Sequence, residues 1–370
     1  MPNMDKIKSL IPMHEIEQGA QQQIFDNANI PFVKKIAVMP DCHQGYDLPI
    51  GAVALVEAHI SPSYVGYDIG CGMCSYTIHD SNVDDLSEEG KRLIFEDIKK
   101  TIPVGFTENT ELEYYDKPFR SYNRELNDKV NAKLDRQLGT LGGGNHFIEI
   151  GYNLEKQIVA TIHSGSRRPG WEVGNWYMNE AKKDNQLYHK FFSMKGVMGF
   201  NYLEDMNFML EFALANRLKM LEKVVSILCG KFHDLRKYGY INENHNHAVV
   251  LENGNILHRK GATPAEAGQI GVIPGSMKSG VYITEGLGNE EYLNSASHGA
   301  GRKMSRGAAK KGIDLATFKA QMEGIIANVD ETTLDEAPDA YKSLDYVINA
   351  QKGIVINVVD FITPIINIKG

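Results

Sequence analysis

The side chains able to hold metals or phosphates lie in short glycine-rich segments strung from residue 39 to residue 302, and this dispersion constrains the fold more than any other feature. The segments are MPDCHQG (39–45), VGYDIGCGMC (65–74), LGTLGGGNHFIE (138–149), HSGSRR (163–168), HNH (245–247), HRKGA (258–262), IPGSM (273–277) and SHGAGR (297–302). Glycine lets a backbone turn tightly and come close to an ion or phosphate. Such a chain points to a fold that gathers distant loops at one site.

The elements between these loops are of mixed type. Apolar runs at 33–39 and 50–57, bounded by Pro, Asp and Gly, predict strands on either side of the first loop. Leu86, Leu93, Ile94 and Ile98 recur at helical spacing within 84–101, and Ser87, Glu88 and Glu89 supply a helix start. A polar helix is expected over 122–138, and a strand over 156–162 that delivers His163 to its carboxyl end. From 203 to 232, Met206, Met209, Leu210, Ala213, Leu214, Leu218, Leu221 and Val224 form a wide apolar stripe, which predicts a long core helix. Asn253-Gly254 predicts a hairpin joining 247–252 to 255–259. Strands at 271–273, 281–284 and 354–359 and helices at 302–311 and 315–325 complete the reading. Without a regular βαβ alternation the class is α+β. With no repeat or clear linker, residues 1–370 read as a single domain.

Composition narrows the function. A net charge of -8 and a pI near 5.9 argue against a protein that coats nucleic acid nonspecifically, which needs a broad basic surface. Local basic islands remain at 166–168 and at 299–311, the latter with Arg302, Lys303, Arg306, Lys310 and Lys311. No apolar run approaches the ~20 residues of a membrane span. The first ten residues lack a secretory pattern, so the expected location is cytoplasmic. The four cysteines, Cys42, Cys71, Cys74 and Cys229, are too few and too uneven for a disulfide framework and are read as reduced thiols.

Within the loops, Asp68 and Cys71 offer a hard and a soft metal ligand flanked by glycines. Cys71-Gly-Met-Cys74 alone also fits half a zinc site or a redox pair, although no second CxxC completes a ribbon and Gly72 disfavours a helix there. The triple glycine at 142–144 delivers Asn145, His146 and Glu149 together. His163, Ser164, Ser166, Arg167 and Arg168 make a phosphate-binding kit. If extended, 245–247 places His245 and His247 on one side. His298 lies among small residues, open to a large ligand, with Arg302 near enough in sequence to neutralise a phosphate. Each loop alone also has a structural reading, as a turn or a surface histidine.

Taken in order, these segments resemble the RtcB RNA ligase family. The residues that carry the resemblance are VGYDIGCGM (65–73), LGGGNHFIE (141–149), HSGSR (163–167), HN (245–246), HRKGA (258–262), IPGSM (273–277), HGAGR (298–302) and Lys369-Gly370. The resemblance implies an RtcB-like α+β catalytic domain with two manganese ions held by Asp68, Cys71, His146, His163 and His245, the Cys71 thiolate bridging them. It implies that His298 attacks the α-phosphate of GTP and carries GMP, with Asp41 orienting its ring. Asn145, Glu149, Asn246, Pro274, Gly275, Ser276, Met277, Gly299, Ala300, Gly301 and Lys369 would contact the nucleotide, and Arg167 and Arg302 phosphate or RNA. The implied reaction joins an RNA 3′-phosphate or 2′,3′-cyclic phosphate end to a 5′-hydroxyl end, in RNA repair or tRNA splicing. As for some relatives, it can involve an archease-type activating partner.

In the first loop Tyr46 and Asp47 stand where many family ligases have Lys and Gly, which removes one positive charge and leaves the RNA substrate open. The alternative activity is a metal-dependent phosphodiesterase or phosphatase acting on RNA ends. It would use the same ligands but would need neither His298, Asn246 nor Lys369. A noncatalytic RNA-binding protein would need no complete ligand set.

Overall fold

The computed structural model describes residues 3–183, 190–231, 235–237 and 239–370. Helix starts follow local chemistry. Ser87 Oγ accepts from the amide of Gly90 at 3.1 Å and opens the helix Glu88–Thr101, with Glu88 and Glu89 in its first turn and Lys99 and Lys100 in its last. Asn123 caps Arg124–Gln137 in the same way. The expected strands at 33–39 and 50–57 are Val33–His43 and Ile50–Glu57, and Asn253-Gly254 joins the antiparallel pair Asn246–Val250 and Asn255–Lys260.

Among the described residues the pairs Ala262–Pro264 with Ser295–Ser297 and His59–Ile60 with Phe192–Ser193 stand apart, and two main sheets hold most of the strands. The smaller has the order Ile7–Ser9, Val33–His43, Ile50–Glu57, Asn255–Lys260, Asn246–Val250. The larger runs Ile270–Pro274, Val281–Gly286, Ile356–Lys369, Phe147–Tyr152, Ile158–Ser164, Gly72–Ile78, Ile241–Asn244. Its two end strands approach one another, so the sheet is nearly closed. The chain crosses between the sheets at His245, between Asn244 of one and Asn246 of the other.

The strand expected at 354–359 is instead Ile356–Lys369. Asp360 and Pro364 lie within it, and its register shifts beside each, against Val281–Gly286 and against Phe147–Tyr152. Bulges of this kind absorb residues that a flat ladder would reject. The basic segment after Ser166 forms a helix, Arg167–Lys183, that the phosphate-kit reading did not include.

The helix expected at 203–232 is Val197–Cys229, and residue 232 lies outside the described residues. Met206, Met209, Ala213, Leu221 and Val224 are buried as the stripe predicted. The helix packs across Ile158–Ser164, Gly72–Ile78 and Ile241–Asn244. Among the described residues no helix is long and apolar enough to cross a membrane.

Near one end of this helix Asp205 is buried and accepts hydrogen bonds from Ser121 Oγ at 2.6 Å and Tyr177 OH at 2.7 Å. Burial outweighs both and pushes its carboxyl up to about 6. A raised carboxyl favours the fold while protonated, so the contribution of Asp205 to stability should be fully present below pH ~4, be lost as pH rises through ~6, and then level off. Asp205→Asn keeps an acceptor for both hydroxyls and should flatten that slope. At pH 7.5 it should be more stable than the parent by up to ~3 kcal/mol, read from urea midpoints across pH. An unchanged pH slope would refute this.

Candidate active site

Strand register brings the ligand candidates together. Cys71 immediately precedes Gly72–Ile78, His146 precedes Phe147–Tyr152, His163 lies near the end of Ile158–Ser164, and His245 follows Ile241–Asn244. Gly72 pairs with both Ser164 and Asn244, and His163 with both Met73 and Phe147, so all four side chains emerge at one margin of the larger sheet. Asp68 joins them from the turn before Cys71.

Two overlapping groups result, Asp68 with Cys71 and His146, and Cys71 with His163 and His245, in each of which the ligand atoms lie within 4.8 Å of one another. Cys71 Sγ is 3.4 Å from His146 Nε2 and 3.2 Å from His163 Nε2, and His163 Nε2 is 3.3 Å from His245 Nε2. The far ring nitrogens fix the tautomers. His146 Nδ1 donates to the Leu141 carbonyl at 3.0 Å and His163 Nδ1 to that of Asn145 at 3.1 Å. A backbone carbonyl on one ring nitrogen leaves the other bare and aimed at the cluster, the usual support of a metal-ligating histidine.

The donor set fits a cation. His146 Nε2 stands 2.9 Å from Asp68 Oδ2, so this ring lies between two acceptors and satisfies both only as an imidazolium or with a cation in place of its second proton. Burial, then neighbouring positive groups, holds His163 and His245 well below the usual imidazole range, so both are neutral. Burial, then the Asp68 carboxylate, pushes the Cys71 thiol up, and a bound cation reverses that preference. Mixed carboxylate, imidazole and thiolate ligation suits manganese or zinc.

Cys74 takes no part. It is packed in the apolar cluster with Ile98, Ile148 and Val224, and burial pushes its thiol up to about 12. The CxxC spacing is therefore neither a metal half-site nor a redox pair. His247 accepts from Arg259 Nη1 at 3.2 Å and His258 from the Ser61 amide at 3.0 Å, so both are buried structural histidines outside the cluster.

His298 lies beside the cluster, its ring centroid 4.8 Å from that of His245. Its Nδ1 donates to Asp41 Oδ2 at 2.7 Å, and its backbone amide reaches the same oxygen at 3.2 Å. Asp41 is fully buried in a cage that only glycine permits. A Cβ at Gly301 would lie 2.3 Å from the Asp41 carbonyl, one at Gly51 would lie 2.8 Å from Asp41 Oδ1, and both backbones have positive φ. With Nδ1 occupied, Nε2 carries the free lone pair.

Asp68, Cys71, His163, His245 and His298 line a cleft of about 630 Å³ that also includes Asn145, Asn246, Pro274, Gly275, Gly299, Ala300, Gly301, Arg302 and Lys369. Asn246 is already engaged, donating to the Asp68 carbonyl at 3.2 Å and accepting from the Gly261 amide at 2.7 Å. Glu149, Ser276 and Met277 stand behind the wall. Glu149 accepts from Asn367 at 2.9 Å, and burial pushes its carboxyl up to about 8; Ser276 meets Ser279 at 2.7 Å; Met277 packs with Phe318 and Ala309. Arg167 lies beneath the triple glycine and donates to the Gly105 carbonyl at 2.9 Å and Thr140 Oγ1 at 3.2 Å.

Arg302 belongs to an ionic knot that sequence reasoning did not foresee. Glu336 accepts from Arg302 at 3.1 Å, Arg306 at 2.8 Å, Lys369 at 2.7 Å and the Tyr341 hydroxyl. Burial opposes its ionisation, but Lys369 and Arg306 prevail and hold its carboxyl below the usual range. With Asp335 also on Arg306 and, at 3.5 Å, on Lys310, four cations face two carboxylates, which leaves positive charge on that wall. His43, Tyr46, Tyr67 and Lys260 also line the cleft without having been singled out as site residues. Lys260 is clamped on the carbonyls of Ser63, at 2.8 Å, and Tyr46, and burial pushes its ammonium down to about 7.

The sequence model of the family described as "tRNA-splicing ligase RtcB" matches residues 23–125 and 119–370. RNA-splicing ligase RtcB1 of Escherichia coli strain ATCC 25922 is 36% identical over 394 aligned positions, covering 96% of this chain and 95% of that protein. RNA-splicing ligase RtcB of Escherichia coli K12 has the same identity and coverage. tRNA-splicing ligase RtcB of Pyrobaculum aerophilum is 30% identical, covering 85% of this chain and 83% of its own length. Ligand groups at one sheet margin, a histidine oriented by a caged carboxylate, and similarity along nearly the whole chain agree: the chain belongs to the RtcB family.

Proposed function

We propose that this protein is a metal-dependent RNA ligase that joins a 3′-phosphate or 2′,3′-cyclic phosphate end to a 5′-hydroxyl end, using GTP and a guanylate carried on His298. The observation that carries the reading is the placement of His298, held by buried Asp41 with its second nitrogen free and its ring against His245 of the ligand cluster. Asp68, Cys71 and His146 would hold one manganese ion, and Cys71, His163 and His245 a second. Such cations withdraw charge from a phosphate under attack.

The chain's own groups supply the rest. His298 Nε2 attacks the α-phosphorus of GTP, a nitrogen–phosphorus bond forms, and the bond to pyrophosphate breaks. Asp41 keeps the proton on Nδ1 and stabilises the positive ring as the bond forms. An oxygen of the RNA 3′-phosphate then takes the GMP from His298, returning the electron pair to Nε2. Attack by the 5′-hydroxyl, with loss of its proton, expels GMP and seals the strand. A cyclic phosphate must first be hydrolysed.

Asn145, Asn246, Pro274, Gly275, Gly299, Ala300, Gly301 and Lys369 are assigned to the nucleotide, with Glu149, Ser276 and Met277 supporting them from behind. Arg302 lends positive charge to the phosphate wall and Arg167 braces the glycine loop. Residues 1–370 act as one catalytic unit in this proposal. An archease-type activator and a cytoplasmic setting belong to the same reading.

The test incubates the protein with manganese and α-labelled GTP, then with two RNAs bearing a 3′-phosphate and a 5′-hydroxyl. The expected result is label that survives a denaturing gel and a joined product. Phosphate release without joining would favour a phosphatase instead.

A further inference from the structure

We propose that Tyr46, Tyr67 and Trp171, with Arg168, form a stacking track that leads the unpaired nucleotides of an RNA end into the cleft. The proposal rests on the RNA-ligase reading above and adds the surface that holds the strand. Tyr46 is 65% exposed at the cleft mouth, and its ring meets Tyr67 edge-on at 5.5 Å. Tyr67 is half-buried and immediately precedes Asp68. Its ring lies nearly parallel to that of Trp171, at 19° and 6.2 Å between centroids. The Arg168 guanidinium covers Trp171 at 4.1 Å and is held by Glu172 at 2.6 Å. The rings therefore run outward from the ligand cluster in an unbroken series.

The series is built into the fold. The helix Arg167–Lys183 approaches the Tyr67 turn through Gly174, where a Cβ would lie 3.1 Å from the Gly66 carbonyl and 3.3 Å from Tyr67 Cα. Buried Lys260 grips the loop that carries Tyr46. Tyr46 and Tyr67 also line a second cavity of about 510 Å³, so cleft and cavity share an aromatic wall. That cavity has Asp26 and Asp47 as well as Lys182 and Lys190, which disfavours a site built for phosphates alone.

Charge selects the occupant. A net charge of -8, with basic residues confined to local islands, argues against holding a long duplex through a broad basic face. Stacking on aromatic rings works without one and tolerates any base, because every base has a π-face. An unpaired RNA end is the ligand that both conditions favour.

The experiment measures binding of a fluorescent single-stranded RNA with a 3′-phosphate by anisotropy, together with KM and kcat for end joining, in Tyr46→Ala and Trp171→Ala proteins loaded with manganese and GTP. Each substitution should weaken RNA binding and raise KM about tenfold, with kcat nearly unchanged. Tyr46→Phe and Trp171→Phe, which keep a ring, should restore most of the loss. Labelling from GTP in Trp171→Ala, whose side chain is outside the cleft wall, should equal the parent. RNA affinity unchanged in both alanine proteins would overturn the track, as would phenylalanine proteins as weak as the alanine ones. Tyr46 is exposed, so its variant tests the idea even if Trp171→Ala folds poorly. If the parent binds RNA through these rings but joins no ends, the ligase reading fails and the track stands. If joining is intact and the rings are dispensable, only the track fails.

Discussion

His298→Ala should leave no GTP-derived label on the protein after denaturation and no detectable joining of RNA ends. Of the other imidazoles near the cleft, His163 and His245 belong to the candidate ligand cluster, and the Nδ1 of His43 meets only a backbone carbonyl, that of Asp41 at 2.9 Å. None of them has its Nδ1 on a buried carboxylate, as His298 has. Asp41→Asn separates orientation from attack. An amide can turn its NH₂ toward Nδ1 and place the ring proton on Nε2, which removes the nucleophile while the side chain stays in place. Labelling should then slow by on the order of 10³- to 10⁴-fold, as for a comparable wrong-tautomer change in a serine protease. Label retained by His298→Ala on a denaturing gel would end the assignment.

The second large effect is expected at Arg217, which lies in none of the motifs that stand out in the sequence. It is fully buried in the helix Val197–Cys229. Its Nη1 donates to the carbonyls of Gly70 at 2.7 Å and Ser164 at 2.9 Å, its Nη2 to Asn244 at 2.7 Å and its Nε to Asn242 at 2.8 Å. Gly70, Ser164 and Asn244 are chain neighbours of Cys71, His163 and His245, so one guanidinium ties together three segments that carry ligands. Asn216 beside it binds Gly139 at 2.7 Å and Gly165 at 3.0 Å, adding the glycine loop. Arg217→Met keeps most of the volume but leaves the buried carbonyls of Gly70 and Ser164, and the part-buried side-chain oxygens of Asn242 and Asn244, without this donor, at ~1–3 kcal/mol for each buried one that finds no other. A total loss of roughly 3–5 kcal/mol is expected, a large part of the 5–15 typical of a folded protein. Urea midpoints should fall accordingly, and manganese titration should show weakened affinity even where the variant remains folded. A variant with the parent's midpoint and metal affinity would refute this bracing role.

These two residues also show what can be read without coordinates. His298, Asp68 and Cys71 stand out in the sequence because they are polar side chains set among glycines, and glycine-rich loops interrupt the apolar periodicity around them. Arg217 was hidden because the stripe from Met206 to Val224 reads as core and polar residues beside it read as its wet face. The usable signal was Asn216-Arg217, a polar pair in an apolar helix long enough to be buried on several sides. Glu336 had no such signal, since its partners come from two segments about thirty residues away on either side, Arg302 with Arg306 before it and Lys369 after it. The aromatic series was invisible for the same reason: a turn, a loop and a helix each supply a ring. Periodicity found most elements but cut Ile356–Lys369 short, because a register shift looks the same as a strand end in one sequence.

The gathering of the candidate ligands at one margin of the larger sheet bears on how the protein responds to its ionic surroundings. Residues as far apart as Asp68 and His245 converge only once the strands of that sheet have paired, so an unfolded chain presents no comparable site. A divalent ion would then bind the native state almost exclusively. Its concentration would act as a thermodynamic lever on the folded population, worth ~2.7 kcal/mol when free ion exceeds its dissociation constant a hundredfold. Depletion of the ion would shorten the protein's lifetime as well as stop its chemistry.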